Sequence, residues 1–161
     1  MVLKDLIVQG MKVSHSGVFD LKALFKLLRG WFNEHDYFVI EKDYKETQKG
    51  LNKYVLVKWE SDKKLDDYIK KYLEVAFVAD TKRVEVQVNG RKTTLDQGEA
   101  SITFTAMLKK DYEENYEKRP LVAFFREVHD KFIDFPRIDE AKNEIMRDIY
   151  SMIDDFKNFF K

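Results

Sequence analysis

Between Tyr37 and Leu108 apolar residues recur at every second position, and one dipeptide in that stretch dictates where the chain doubles back. Val84, Val86 and Val88 alternate with Arg83, Glu85 and Gln87, and Asn89-Gly90 follows at once. Both central residues of a type I′ turn need positive φ, which asparagine and glycine tolerate, so the pattern predicts a two-residue hairpin. Arg91 to Leu95 is then the return strand. Asp96-Gln97-Gly98 reads as a further turn, and Ala100, Ile102, Phe104, Ala106 and Leu108 alternate with Ser101, Thr103 and Thr105 in the next strand. Upstream, Phe38, Ile40 and Tyr44 share one face of a run, Val55, Val57 and Trp59 of a second, and Ile69, Leu73, Val75 and Phe77 of a third. Strands with one wet face and short connections pair antiparallel, because parallel strands need long crossovers and are apolar on both faces.

The period changes on either side of this block. Leu3 to Val13 is apolar and β-branched, and Ser14-His15-Ser16-Gly17 ends it, predicting a strand and a turn. Asp20 is placed to cap a helix in which Leu21, Leu24, Phe25, Leu28, Trp31 and Phe32 form one continuous stripe, with Lys22, Lys26 and Arg29 off it. After the polar stretch Asp111 to Arg119, Pro120 suits a first helical turn. Leu121, Phe124, Phe125, Val128 and Phe132 carry the same spacing until Phe135-Pro136 breaks it. A last helix is expected from about Ile138 to the end, with Ile145, Ile149, Met152, Ile153, Phe156 and Phe160 along one side. The expected fold class is α+β: a curved antiparallel sheet of about six strands packed against a long helix in the N-terminal half and two C-terminal helices.

Composition removes several kinds of chemistry. The 161 residues suit one domain, residues 1–161, without a linker or repeat. With no cysteine there are no disulfides, thiolate nucleophiles or zinc–sulfur sites, which fits a reducing compartment and a cytoplasmic location. No stretch approaches the roughly 18 apolar residues of a membrane span. The 29 basic residues balance 29 acidic ones, so there is no overall attraction for polyphosphate and nucleic acid is a disfavoured partner. Charged residues make up 36% of the chain, against about a quarter in ordinary domains, a composition common in heat-adapted proteins.

This order of elements resembles the helix-grip arrangement of START-like proteins, in which a curved antiparallel sheet wraps a long C-terminal helix. The resemblance covers most of the chain, though here one long helix follows the first strand where that arrangement has two short ones. The strand bearing Trp59 and the segment Asp111-Tyr112-Glu113 also look like an uncharacterised archaeal protein family, which implies no activity.

No GxxxxGK[ST], GxGxxG or GxSxG motif occurs, so those phosphate cradles and the nucleophile elbow are absent. His15, His35 and His129 lack ligand spacing, no metal site or cofactor is expected, and His35 at a helix end has a dipole explanation. Glu41 and Asp43, two apart on one strand, could do acid–base work or simply face solvent. Strict alternation aims Lys42 inward with Phe38, Ile40 and Tyr44, and poses the same puzzle for Lys71 between Ile69 and Leu73. A buried lysine is a perturbed group, so Lys42 and Lys71 in neighbouring strands could form an anion pocket, with Glu41, Tyr44 and Trp59 around it. The alternative is a bulge, or a lysine snorkelling along an open sheet edge. Tyr68 and Tyr72, with Lys70, could stack single-stranded nucleic acid, or simply cover a sheet face. The leading expectation is a non-catalytic domain binding an apolar small molecule or a protein partner between sheet and helices. A START-like enzyme or carrier, and a single-stranded nucleic-acid binder, are its rivals.

Overall fold

In a computed structural model, which describes residues 3–66, 68–110 and 135–161, the chain begins with β1 (Leu3–Phe19). There follow α1 (Leu21–Glu34), β2 (Phe38–Lys49), β3 (Asn52–Lys64), β4 (Ile69–Val88), β5 (Arg91–Lys110) and α2 (Phe135–Phe159). The five strands form one curved antiparallel sheet in the order β1-β5-β4-β3-β2, with every described neighbour pair antiparallel. Both helices lie on one face, and the buried residues of α1, α2 and the inner sheet face make one main core.

The sheet has five strands where about six were expected. The runs ending at Phe77 and Val88 are one strand of 20 residues, β4, and the runs on either side of Asp96-Gln97-Gly98 are likewise one strand of 20 residues, β5. Their register is unbroken from Ile69 opposite Lys110 to Val88 opposite Arg91. Asp96-Gln97-Gly98 carries turn residues but makes no turn. Gly98 is there because β4 passes so close that a side chain would overlap the Asp80 carbonyl oxygen and lie 2.8 Å from Thr81 Cα. Asn89 and Gly90, with φ of 54° and 78°, make the expected tight hairpin.

β1 does not end at Val13. It runs through Ser14-His15-Ser16-Gly17 to Phe19, opposite Asp96, so His15 is a strand residue; its ring stacks on Phe160 at 3.9 Å. α1 forms as expected. The Asp20 carboxylate accepts from the Ala23 amide, and Leu24, Leu28, Trp31 and Phe32 are fully buried. Each such side chain contributes about 1.5–3 kcal/mol of burial. α2 begins at Phe135, with Pro136 in its first turn, and it buries Ile145, Ile149, Met152, Ile153 and Phe156 as the pattern predicts. The helix expected from Pro120 to Phe132 lies outside the described residues.

β2 needs the main correction. Its pairing with β3 slips between Glu41 and Asp43, with Lys42 as the extra residue. Before the slip Phe38 and Ile40 point to the outer face, opposite Asp62 and Glu60, and are 66% and 52% exposed. After it, Tyr44 lies opposite buried Val57 and so faces inward. Phe38, Ile40 and Tyr44 therefore do not share a face, because a bulge resets the alternation. No described helix is long and apolar enough to cross a membrane.

Candidate functional site

α1 crosses the inner face of the sheet, and each of its ends carries a constellation of polar groups. At its N-terminal end an open cleft of about 800 Å³ lies between the helix and the sheet. Phe25, Val55, Phe77 and Leu21 supply apolar walls; Asp20, Lys22, Lys26, Tyr44, Glu46, Lys53, Arg83 and Asp96 supply the polar ones. Phe25 packs on Trp59 at 5.5 Å and meets Tyr44 edge-on at 6.4 Å, so the helix and the β2–β3 hairpin share one aromatic wall.

Asp96 closes the cleft where helix and sheet join. Period-two alternation from Ala100 back through Gly98 turns its carboxylate inward, where it is almost wholly buried. One oxygen accepts the Leu21 amide at 3.1 Å, and Arg83 Nη1 reaches both oxygens at 3.3 Å. Asp20 and Asp96 thus take two of the free amides that begin α1, and both negative charges sit at the positive end of the helix dipole.

Across the cleft, the Tyr44 hydroxyl donates to Glu46 at 2.7 Å and Lys53 pairs with the same carboxylate at 3.0 Å. The hydrogen bond to Glu46, then partial burial, raises the Tyr44 phenol to about 12, and that bond, followed by Lys53, lowers Glu46 below the ordinary carboxylate range. A raised folded-state value adds stability below the ordinary tyrosine pKa of 10.0 that is lost as pH rises through about 12. A lowered carboxylate adds stability above its unfolded value that is lost as pH falls through the folded one. The stability difference between the protein and Tyr44→Phe is therefore expected to exist only between those limits and to vanish at both extremes. Thermal unfolding across pH checks this, and a pH-independent difference counts against the hydrogen bond.

At the other end of α1 sits a buried ion cluster. Lys71, with 0% of its side chain exposed, donates to Glu144 Oε1 and Asp148 Oδ2 of α2, each at 2.7 Å. Tyr37 donates to the same Asp148 oxygen at 2.5 Å, and Lys71 Nζ lies 5.3 Å from the Tyr37 ring. Burial first, then the bond to Asp148, holds the Tyr37 phenol protonated far above its ordinary range. His35 caps α1: its Nδ1 is 2.9 Å from the Trp31 carbonyl, and its Nε2 is 3.3 Å from Ser151 Oγ of α2.

Lys71 and Lys42 do not form an anion pocket together. Lys71 is inward but already matched by two carboxylates, and Lys42, the bulge residue, points outward with its side chain 62% exposed, 3.9 Å from Glu60. The same bulge separates Glu41 from Asp43. Glu41 lies opposite Trp59 and accepts its indole N–H at 3.3 Å, while Asp43 lies opposite Lys58. Trp59 is fully buried; Tyr44 reaches the cleft.

Nor do Tyr68 and Tyr72 share a face. Tyr68 precedes β4 and is buried with Ile69, Leu108, Ile138 and Ala141. Tyr72 lies on the outer face beneath Lys109, whose Nζ is 4.4 Å from the ring, and Lys70 lies 3.6 Å from Asp62. Burial first, then Glu60 and Glu74, raises the Tyr72 phenol above its ordinary value, so acids as well as lysines lie around this patch.

Sequence reasoning missed Asp96, Arg83 and the two acids of α2. Glu144 and Asp148 stand one turn apart beside the apolar stripe through Ile145 and Ile149. An acidic i,i+4 pair flanking a core stripe, opposite an inward lysine, was the available signal. Among the described residues no group of three or more metal-ligating side chains occurs.

No protein-family model and no curated protein matches the chain. Among solved structures, an uncharacterised protein from Rhizobium leguminosarum is similar at a TM-score of 0.31 and 8% identity, covering 99% of this chain and 97% of its own. Norcoclaurine synthase from Thalictrum flavum, in complex with dopamine and hydroxybenzaldehyde, is similar at a TM-score of 0.18 and 7% identity, covering 91% and 88%. At these scores neither likeness carries an argument about function, and the site rests on its own geometry.

Proposed function

We propose that this chain is a non-catalytic small-molecule-binding domain that takes its ligand in the cleft at the N-terminal end of α1. The observation that carries the reading is the cleft itself. Its volume of about 800 Å³ falls in the range of small-molecule sites, roughly 300–1,000 Å³. Its walls combine an aromatic and aliphatic surface with a few fixed polar groups, the composition such sites use for affinity and orientation. Several of those polar groups are bound to one another or to the end of α1, which suits a preformed receptor. The order of elements, which resembles a helix-grip arrangement, with the 25-residue α2 packed on the same face of the sheet as α1, supports the same reading. An enzyme working through Lys71 is the weaker alternative, because that lysine is fully enclosed and already holds two carboxylates.

The test uses phenylnaphthylamine, a neutral dye that fluoresces in apolar sites. The folded protein is expected to bind one dye per chain. Tyr44→Asp, a change at a half-exposed residue of an edge strand, puts a carboxylate into the cleft and is expected to weaken binding about tenfold, measured where thermal unfolding shows the variant to be folded, since it also loses the bond to Glu46. Absence of dye binding, or binding indifferent to Tyr44→Asp, overturns the reading. Native mass spectrometry of freshly purified protein then identifies any retained ligand.

A further inference from the structure

The charges around the cleft are unevenly matched. Each of its three carboxylates has a partner: Asp20 the Ala23 amide, Asp96 the Leu21 amide and Arg83, Glu46 the Tyr44 hydroxyl and Lys53. Of its four cations, Arg83 and Lys53 are engaged by those acids. Lys22 and Lys26, one turn apart on α1 and both exposed, have no carboxylate partner among the described residues. Lys22 and Lys26, neither of them neutralised by a described residue, flank an apolar wall made by Phe25, Val55 and Phe77.

We infer that the cleft takes an amphipathic organic anion, its apolar or aromatic body against Phe25, Val55 and Phe77 and its anionic head beside Lys22 and Lys26. The inference rests on reading the cleft as a small-molecule site. Selectivity for the anion comes from side chains, because the Leu21 and Ala23 amides at the start of α1 are directed to Asp96 and Asp20. Those carboxylates and Glu46 also limit the charge of the ligand. A polyanion laid across the cleft meets all three, whereas a single head group at the helix flank meets only cations.

Two dyes with the same aromatic body separate this inference from the reading beneath it: anilinonaphthalene sulfonate carries an anionic group and phenylnaphthylamine does not. The variant is Lys22→Gln with Lys26→Gln, at exposed positions of α1 that line the mouth of the cleft. It is expected to weaken sulfonate binding about tenfold while changing neutral-dye binding by no more than about twofold. Added salt is expected to weaken only the sulfonate. If the double variant leaves sulfonate affinity unchanged, or weakens both dyes alike, the anionic head does not sit at α1 and the inference falls while the cleft reading stands. If neither dye binds the unaltered protein, the cleft reading falls first.

Discussion

Lys71→Ala is expected to destabilise the protein by about 3–5 kcal/mol, the range found when one partner of a buried ion pair is removed. The Lys71 side chain is fully buried, whereas Asp148 is 18% and Glu144 39% exposed, so without the lysine two carboxylates face each other with only partial access to water. Tyr37 keeps its bond to Asp148 but supplies no positive charge. The magnitude belongs at the lower end of the range, because Glu144 regains part of its hydration. Lys71→Met keeps the length of the stem and isolates the charge from the cavity left by alanine. Adding Glu144→Gln and Asp148→Asn to Lys71→Met is expected to recover most of the loss, since the penalty comes from the acids left behind. Urea unfolding measures all three. A loss below about 1 kcal/mol for Lys71→Met, on the scale of surface ion pairs, means that the cluster does not fasten α2 to the sheet.

Asp96→Ala carries the second large effect, about 2–4 kcal/mol. The cap alone is worth about 1 kcal/mol, and a buried partner left unsatisfied adds about 1–3 kcal/mol. Here one carboxylate serves an amide 75 residues away in sequence and an arginine on the neighbouring strand. Asp20→Ala is the comparison, because Asp20 caps the same helix from an exposed position and is expected to cost only about 1 kcal/mol. Asp96→Asn keeps an acceptor for the Leu21 amide and is expected to return part of the loss. If Asp96→Ala and Asp20→Ala cost the same in urea unfolding, the link between β5 and α1 contributes nothing beyond an ordinary cap.

These two residues show where sequence stops being informative. The stripe of α1, its Asp20 cap and the Asn89-Gly90 hairpin are local, and each was legible because a few neighbouring residues decide it. The inward direction of Lys71 was legible from alternation alone; its partners lie 73 and 77 residues away on another element and leave no local trace. Asp96-Gln97-Gly98 misleads because aspartate and glycine are turn residues, while here one is a buried cap and the other makes room for β4. Lys42 stood between two readings, an inward lysine and a bulge, and the structure has the bulge. One extra residue inverts every face after it, and nothing in the composition of β2 announces the slip.

The same irregularity has a consequence at the borders of the sheet. β1 and β2 are the two outermost strands, and both are uneven: β1 slips between Leu6 and Val8 and again between Gln9 and Met11, where Gly10 has φ of 73°, and β2 slips at Lys42. The inner pairings, β3 with β4 and β4 with β5, run without a shift. A regular outermost strand is a template on which foreign strands polymerise, and bulges with charged side chains are how natural sheets interrupt it. The exposed Phe38 and Ile40 lie beside such an interruption, so the most adhesive stretch of the sheet margin is also one where the backbone cannot present a continuous ladder to a second molecule.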